Sequence, residues 1–546
     1  MEDAPTRSDD LRWFDLFHRR CTRRDFLRAG GSAAALIAFG GTLPGRRGDR
    51  APRFAADPFP LGVASGDPTR EGVVLWTRLL DQTIAAGGDP AARVPVRWEV
   101  AEDDGFRKIV KKGDVLALPE LGLSVHAEVE GLRAGRDYWY RFVAGGVASA
   151  VGHTRTAPRS TERVRFAFAS CQDVEDGYFT AYRHMAEEDL DFVVHLGDYI
   201  YEVGSRPNTV RPHGLAEAVT LEDYRSRYKL YRSDPDLQAG HAALPFVVTW
   251  DDHDVDNNYA SGMPERDQDP APFVLRRAAA YQAYYEFLPL RRASMPRGPD
   301  MGLFRRLDFG SLLSMSLLDT RQFRDDQACG DRIKPSCAPR EESARSMLGA
   351  GQEGWLEQGW KGSRTRWNVL AQGVVMAPLQ YVQGGVPAYS MDSWDGYPAA
   401  RQRILEAFAS GAVANPVVLS GDIHSNWVMD LHARPEDPDS PVVATELVGT
   451  SITSGGDGRE VEEESPGMNA RNPHVRFYNE RRGYVSCDVT EERLTARFRN
   501  TPVVSEPGRS VATAATFVVE SGRPGAIRDG STPRASRPAG PPPRAG

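Results

Sequence analysis

Four short apolar runs, each ending in side chains that can bind metals, constrain the fold of this chain more than any other feature. The clearest extends from Phe192 to Leu196, is ended by Gly197, and is followed by Asp198, Tyr201 and Glu202. Apolar runs of this length that stop at a glycine are typical of buried strands. The sequence therefore predicts a carboxylate and a phenol at the end of a buried strand.

The same pattern occurs three more times along the chain. One run ends at a cysteine, a second in an acidic cluster with a histidine, and a third in an aspartate and a histidine. The runs and the polar residues after them are Phe166 to Ser170 with Cys171, Pro245 to Trp250 with Asp251, Asp252, His253 and Asp254, and Val417 to Ser420 with Asp422 and His424. Because ligands gather at the carboxyl ends of parallel strands, these runs predict one sheet whose carboxyl edge holds a metal cluster.

Each part of this cluster has an alternative interpretation when it is taken alone. Asp198 could bridge two metal ions, or it could cap the N-terminus of a helix. The loop that contains Asp252 and His253 could bind cations, which would relieve the repulsion among its carboxylates, or it could be a solvated acidic loop. Asp422 and His424 are two residues apart, so both can point to one side of a strand. A histidine in such a place is also often a hydrogen-bonded core residue.

The order of the predicted elements divides the chain into four parts. Residues 1–56 form an arginine-rich leader, and residues 57–158 contain short alternating runs separated by turns, which predict an all-β domain. Residues 159–520 alternate strands with helices, which predicts a larger α/β domain. Residues 521–546 are dominated by Pro, Arg, Gly and Ser and are expected to be disordered.

The charge of the chain argues against one class of function and points to an export signal. The formal net charge is −8, which does not favour a basic surface for nucleic acid. In the leader, Arg23 and Arg24 are followed by Phe26 and Leu27 and then by a weakly apolar run. This layout resembles a twin-arginine export signal and is too short to span a membrane, although a surface helix with two arginines is the alternative.

The cysteines fit an oxidising destination. Cys329 and Cys337 flank a short loop and can form a disulfide there, although spacing alone does not prove the connectivity. Cys487 lies in a strand-like run and is interpreted as a small buried apolar residue.

Longer stretches around the four strand ends resemble a known family. GDYIYE, TWDDHDVDNNYA and SGDIHSNW are similar to degenerate forms of the metallophosphoesterase sequence blocks. Together with FPLGVASGDP, FASCQ, LLDTRQFRDDQ and the GTSITSGG turn, they resemble the PhoD-type alkaline phosphatases from Phe59 to Phe498. The resemblance implies an α/β fold with a metallophosphoesterase-like β-sandwich flanked by helices, preceded by a small fibronectin type III-like domain.

The resemblance also implies a metal content of iron(III) and calcium. Carried over residue by residue, it assigns iron ligands and calcium ligands that share one bridging aspartate. The implied iron ligands are Cys171, Asp198, Tyr201 and His424, and calcium would be bound by the bridging Asp198 with Asp252 and Asp422. Thiolate, phenolate and imidazole suit iron, whereas carboxylate oxygens suit calcium.

The implied reaction is hydrolysis of a phosphate ester by metal-activated water. Beside the metal ligand Asp252, His253 would contact the phosphate or protonate the leaving alkoxide, or it would only orient a ligand. Arg277 or its neighbour Arg276 would clamp a phosphate oxygen, with a surface salt bridge as the alternative.

The leading hypothesis is an exported alkaline phosphatase or phosphodiesterase that serves phosphate acquisition. The alternatives are a phospholipase D-like enzyme with the same site and a non-catalytic secreted binding protein. The expected partners are a phosphate ester substrate and the twin-arginine translocase, and the expected state is a periplasmic or extracellular monomer.

Overall fold

Two large β-sheets packed face to face lie at the centre of this computed structural model, which describes residues 54–80, 93–265, 268–459, 461 and 470–530. The predicted export signal and the tail from residue 531 onwards lie outside the described residues.

The regular elements are numbered in chain order. The strands are β1 Val63–Gly66, β2 Gly72–Arg78, β3 Val94–Ala101, β4 Ile109–Ala117, β5 Ser124–Glu130, β6 Asp137–Ala144, β7 Val147–Ala148, β8 Gly152–Arg155, β9 Arg163–Ala169, β10 Phe192–His195, β11 Pro245–Val248, β12 Arg305–Phe309, β13 Leu313–Leu317, β14 Ile333–Pro335, β15 Trp367–Ala371, β16 Tyr381–Gln383, β17 Val386–Ser390, β18 Pro416–Ser420, β19 Asn426–His432, β20 Val442–Val448, β21 Val475–Asn479, β22 Gly483–Thr490, β23 Arg493–Asn500, β24 Ala512–Glu520 and β25 Arg523–Arg528. The α-helices are α1 Thr180–Glu187, α2 Leu221–Arg232, α3 Pro235–Ala243, α4 Pro270–Phe287, α5 Gly349–Gly362 and α6 Pro398–Ala409.

The larger sheet has ten strands in the order β25-β24-β23-β22-β9-β10-β11-β1-β2-β5. Its four central strands β9, β10, β11 and β1 are parallel, and the strands on either side of them pair antiparallel. The carboxyl ends of β9, β10 and β11 therefore lie next to each other at one edge of this sheet.

The second sheet has seven strands in the order β12-β13-β15-β18-β20-β19-β21. Strands β13, β15, β18 and β20 are parallel. Buried strands of a parallel sheet read as continuous apolar runs, and all five residues of both β15 and β18 are buried.

The apolar faces of the two sheets pack on each other to form the central core. Phe166 of β9 stacks on Phe192 of β10 with ring centroids 5.3 Å apart, and Phe192 stacks on Phe309 of β12 at 4.4 Å. Val417 and Leu419 of β18 are buried in the same cluster. Full burial of each such side chain contributes about 1.5–3 kcal/mol, so this core fixes the distance between the two sheets and the carboxyl ends of their strands.

Helices cover the outer faces of both sheets. Buried residues of α1 to α4, many of them tyrosines, pack on the ten-stranded sheet, and α5 and α6 pack on the seven-stranded sheet. Helix α2 begins with a capping box in which Thr220 and Asp223 satisfy each other's backbone N–H groups. None of the helices in the part of the chain that the structure describes combines the length and apolar character that a membrane span needs.

The segment from residue 57 to 158 is built from strands, with one 3-10 turn at Pro119–Leu121. Strands β4, β3, β6 and β7 form a separate five-stranded sheet with β8, whereas β1, β2 and β5 extend the ten-stranded sheet. A buried cluster fills the space between the two sets of strands. The sheet is thus continuous across the boundary that the sequence predicts near residue 158.

Two sequence predictions about the architecture are wrong. The four runs do not end at one sheet, because β18 belongs to the seven-stranded sheet. The sequence of a strand shows whether it is buried but not which strands it pairs with. The carboxyl ends of the four runs come together because the two sheets pack on each other. The tail does not begin at residue 521, because β25 pairs with β24 as an edge strand, where its Pro524 is tolerated.

The predictions about cysteines can be compared with the structure directly. Cys329 and Cys337 form a disulfide. Cys487 is a free thiol buried in the core between the two large sheets.

Candidate metal centre

The residues predicted at the four strand ends lie close together. Cys171 follows β9, Asp198 follows β10, and the backbone N–H of Cys171 donates to the carbonyl of Gly197 with an N···O distance of 3.1 Å. Gly421 reaches the same place from the second sheet, where its N–H donates to the Gly373 carbonyl at 2.6 Å, and it leads into Asp422. The facing edges of the two sheets thus form one site.

Seven side chains at this edge form three overlapping groups in which the potential ligand atoms lie within 4.8 Å of one another. The groups are Cys171, Asp198 and His424; Asp198, Asp252 and His253; and Asp251, Asp252 and Asp422. Asp198 and Asp252 each belong to two groups. The arrangement therefore has room for neighbouring metal ions that share carboxylates. Asp251 is a candidate that the sequence analysis did not assign as a ligand.

The backbone at this site adopts conformations that side chains rarely tolerate. Cys171, Asp198, Asp422 and His424 have φ values of 58°, 54°, 68° and 52°. Such left-handed residues cost energy, and the surrounding structure must hold them in place. Gly197 has φ 120°, and a Cβ there would lie 2.4 Å from the Asp251 Cβ. Only glycine fits between these two strand ends.

Asp254 fixes the loops rather than offering a ligand. Its carboxylate accepts the backbone N–H groups of Asp198 and Asp251 at Oδ2, at 2.9 and 3.0 Å, and that of Tyr199 at Oδ1, at 3.0 Å. Burial raises the pKa of Asp254 to about 7. These bonds tie the loop after β10 to the loop after β11 and fix the backbone positions of Asp198 and Asp251.

Tyr201 joins the first group through its hydroxyl. The Tyr201 hydroxyl donates to Asp198 Oδ2 at 3.0 Å and lies 3.1 Å from His424 Nε2. Burial and the Asp198 carboxylate raise the pKa of this phenol well above its usual value, and burial lowers the pKa of His424 to about 3. A neutral imidazole is the form that binds metals.

The electrostatics of the cluster favour a bound cation. Burial, reinforced by the neighbouring carboxylates, raises the pKa of Asp198 and of Asp422 well above the usual range, and burial raises the pKa of Asp251 to about 6. Buried carboxylates so close together are stable as anions only when positive charge compensates them. Two buried oxygens of the cluster, Asp251 Oδ2 and Asp252 Oδ1, accept no hydrogen bond from the described residues. The donor set therefore fits metal ions.

One buried arginine that the sequence analysis did not single out compensates part of this charge. Arg321 is fully buried and donates through Nε to Asp251 and through Nη1 to both Asp392 oxygens at 2.9 Å. Its Nη2 lies 3.3 Å from Asp252 Oδ1 and 3.7 Å from Asp422 Oδ1. Because Arg321 comes just after the buried strand β13, the strand-end signal applies to it as well.

His253 is anchored by a buried glutamate. Its Nδ1 lies 2.8 Å from Glu202 Oε2, and its backbone N–H donates to Asp198 Oδ1 at 3.3 Å. Burial alone would lower the pKa of His253, but Glu202 and Asp252 outweigh burial and raise it well above its usual value. The His253 ring also packs on Tyr201, with centroids 4.2 Å apart. The Glu202 contact leaves Nε2 as the nitrogen available to a substrate.

The predicted arginine clamp is not part of this cluster. Arg277 donates to the Ser261 carbonyl, lies 3.7 Å from Asp300, and packs over Tyr281. Arg276 pairs with Glu217 and Asp256, at 2.8 and 2.9 Å, both of which lie outside α4. The sequence of α4 does not show in which direction its two adjacent arginines point, so the prediction that one of them lies at the metal site could not be made reliably from the sequence.

Two alternatives from the sequence are also resolved by the structure. Asp198 does not cap a helix, because the next helix, α2, begins at Leu221. The loop after β11 is not a solvated acidic loop, because Asp251, Asp252 and Asp254 are all buried.

This combination of an α/β sandwich and a carboxylate-rich site with cysteine, tyrosine and histidine is typical of metal-dependent hydrolases. Comparison with known proteins narrows the class. A family model described as PhoD-like phosphatase matches residues 166–498, and a model of the PhoD-like phosphatase N-terminal domain matches residues 45–158. The chain belongs to the PhoD-like phosphatase family.

Two relatives are similar over most of their length. Alkaline phosphatase D of Bacillus subtilis (strain 168) is 48% identical over 522 residues, which covers 93% of this chain and 89% of that protein. A solved structure described as PhoD has a TM-score of 0.85 and 49% identity, and covers 89% of this chain and 95% of that one. The chain is therefore a hydrolase of phosphoric esters, and the alternative of a non-catalytic binding protein is not retained.

Proposed function

We propose that this phosphoesterase uses iron(III) and calcium held by the residues of the four strand ends. Cys171, Asp198, Tyr201 and His424 would bind the iron. Asp198 would bridge to calcium, which Asp252 and Asp422 would also bind. The single observation that carries this proposal is the overlap of the three ligand groups at Asp198 and Asp252.

The donor chemistry supports this division of ligands. The group around Cys171 offers sulfur, a phenol at 3.0 Å from Asp198 Oδ2 and an imidazole, which together suit iron. The group around Asp422 offers carboxylate oxygens alone, which suit calcium. Asp251 is a further calcium candidate because its Oδ2 has no hydrogen-bond donor among the described residues.

The reaction consists of attack by water on phosphorus and departure of the ester oxygen. Bound metal ions lower the pKa of water and neutralise the charge of the phosphate. A new P–O bond forms to the water oxygen, the ester P–O bond breaks, and the leaving alkoxide takes up a proton. His253 is the proposed proton donor, and Glu202 Oε2 at 2.8 Å from Nδ1 holds the ring in position.

The proposed biological role is phosphate acquisition outside the cytoplasm. Arg23 and Arg24 support export by the twin-arginine route, which carries folded proteins, and the Cys329–Cys337 disulfide fits an oxidising destination. The proposed partners are a phosphate ester and the translocase, and the proposed state is a monomer.

Substitution of Asp198 tests the proposed site. Asp198→Ala removes the carboxylate common to two ligand groups, so we expect hydrolysis of 4-nitrophenyl phosphate and of bis(4-nitrophenyl) phosphate to fall at least about 100-fold, as loss of a metal ligand does. Asp308→Ala on the exposed side of β12 is the matched control. Wild-type rates in Asp198→Ala would refute the site.

A substrate comparison tests the proposed role. The rates of hydrolysis of phosphate monoesters, phosphate diesters and phospholipid vesicles are compared at equal concentrations of esterified phosphate. Release of inorganic phosphate or of the diester alcohol as the fastest reaction agrees with the proposal. Headgroup release from vesicles as the fastest reaction would replace it with the phospholipase D-like alternative.

A further inference from the structure

A cavity of about 520 Å³ opens beside the metal centre. Asp422 and Asp392 line it on the side of the centre, and Arg332, Lys334 and Gln383 line it from a small three-stranded sheet of order β14-β17-β16. Asp422 belongs both to the ligand groups and to the lining of this cavity, so the cavity lies directly beside the place proposed for the reacting phosphate.

The two cations that line this cavity, Arg332 and Lys334, differ in exposure and in ion pairing from two buried arginines nearby. Arg321 and Arg324 are buried, and both donate to Asp392, at 2.9 and 2.6 Å. Arg332 is exposed and Lys334 half-buried, and neither forms an ion pair with any carboxylate in the part of the chain that the structure describes. The charge of these two side chains is therefore available to a ligand.

The loop that carries Arg332 and Lys334 is linked to the metal centre by hydrogen bonds. Asp331 accepts two hydrogen bonds from the Asn258 amide, at 3.2 and 3.1 Å, and the Asn258 backbone N–H donates to Asp252 Oδ2 at 2.7 Å. The Arg332 carbonyl accepts the Met391 N–H at 2.9 Å. These bonds hold the backbone that carries the two cations in a fixed relation to Asp252.

The disulfide and the backbone add to this rigidity. Cys329 and Cys337 close the loop, and β14 within it pairs with β17. Asp331 and Arg332 both have φ 63°, a conformation that the surrounding bonds must maintain. A fixed backbone limits the positions that the two side chains can reach, which reduces the conformational entropy lost when they bind an anion.

We propose that this cavity is the leaving-group subsite and that Arg332 and Lys334 select phosphate esters whose leaving group carries its own negative charge. The ligand class is an ester with a second anionic group, such as a phosphate or carboxylate, beyond the ester oxygen. This inference rests on the proposed metal centre, because it places the reacting phosphate beside Asp422.

A matched pair of substrates tests the subsite. Phenyl phosphate and 4-carboxyphenyl phosphate share the same reacting group and differ by one negative charge on the leaving group. In the wild-type enzyme we expect a higher kcat/KM for 4-carboxyphenyl phosphate. In the double variant Arg332→Gln, Lys334→Gln we expect the ratio of the two kcat/KM values to fall about fivefold, mainly through the KM of the carboxylate, since close charges of this kind contribute a factor of this order.

Two controls separate this effect from a loss of folding. The double variant Lys361→Gln, Arg364→Gln removes two exposed cations, one in the last turn of α5 and one just after it, and should keep the wild-type ratio. The thermal unfolding temperature of each variant is measured in parallel. Because salt screens charges, added salt should lower the ratio of the two kcat/KM values in the wild-type enzyme. In the Arg332 and Lys334 variant the same ratio should stay nearly constant.

The outcomes distinguish the inference from the proposed function beneath it. An unchanged ratio, or equal losses on both substrates, in a folded Arg332 and Lys334 variant would overturn the subsite. Retention of both activities by Asp198→Ala would instead overturn the proposed centre.

Discussion

Removal of the buried Arg321 guanidinium is the most demanding test of the electrostatic account. In Arg321→Met the side chain keeps a similar length, but Asp251 and Asp252 lose the cation that contacts both of them. Asp392 keeps Arg324, with Nη2 at 2.6 Å from Oδ1. The variant therefore leaves two buried carboxylates without their arginine.

The expected cost follows from the burial of these groups. Removing one partner from a buried ion pair costs about 3–5 kcal/mol, because an uncompensated charge stays behind. Arg321 and both carboxylates are at most 2% exposed, so the free energy of unfolding in a urea titration should fall by that amount. The loss should be larger after metal removal by a chelator, since the metal ions supply the other positive charge.

Two further variants check the cause of the loss. Arg321→Lys keeps the charge but not the planar fork that contacts Asp251 and Asp392 together, and we expect an intermediate loss of stability. Adding Asp251→Asn to Arg321→Met removes one uncompensated charge and should recover at least about 1 kcal/mol. A free energy of unfolding for Arg321→Met within about 0.5 kcal/mol of wild type, with or without metal, would refute the reasoning.

Three other predictions concern the centre and its support. Tyr201→Phe removes the hydroxyl that contacts Asp198 at 3.0 Å, and we expect iron affinity in a competition assay to fall about 10–100-fold. Glu202→Gln weakens the contact that orients the His253 ring, and we expect kcat for phenyl phosphate to fall at least tenfold. We expect a smaller fall in kcat for 4-nitrophenyl phosphate, because the 4-nitrophenolate leaving group needs less proton donation. Glu446→Gln replaces a buried carboxylate that accepts three hydrogen bonds, and the free energy of unfolding should fall by about 1–3 kcal/mol.

Each of these predictions has a control and a contrary result. Tyr478→Phe loses a hydroxyl that contacts Glu480, away from the centre, and should keep its iron. Equal falls in kcat on both phenyl esters in Glu202→Gln would mean that His253 does not protonate the leaving group. Glu406→Gln on the surface of α6 is the control for Glu446, and equal stabilities of the two glutamine variants would show that the Glu446 bonds do not stabilise the fold.

The strand-end residues could be predicted because local sequence determines them. An apolar run that stops at glycine and continues into Asp198 reports both a buried strand and a polar turn, and the same holds for Asp422, whereas the run before Cys171 leads into the cysteine without a glycine. Which sheet each strand joins depends on contacts between segments that are distant in sequence. The placement of β18 in the second sheet was therefore missed.

The directions of arginine side chains could not be predicted from the sequence either. Arg277 precedes an apolar and aromatic run and Arg321 precedes a polar one, but neither pattern says which arginine turns towards the acidic cluster. The answer depends on packing, since Arg321 leaves the end of β13 at the edge where β11 and β18 also end. Asp251 was missed for a related reason, because neighbouring carboxylates in one loop differ only in the directions that the folded backbone gives them.

The metal content of the purified, folded protein tests the central claim most directly. Iron and calcium are measured by elemental analysis, and hydrolysis of a phosphate monoester and a diester is followed with and without a calcium chelator. The account predicts near-stoichiometric iron, together with calcium, and turnover that is lost with the chelator and restored by added calcium. Zinc or manganese in place of iron, with activity that the chelator does not change, would contradict the assignment of Cys171, Tyr201 and His424 to iron and of Asp252 and Asp422 to calcium.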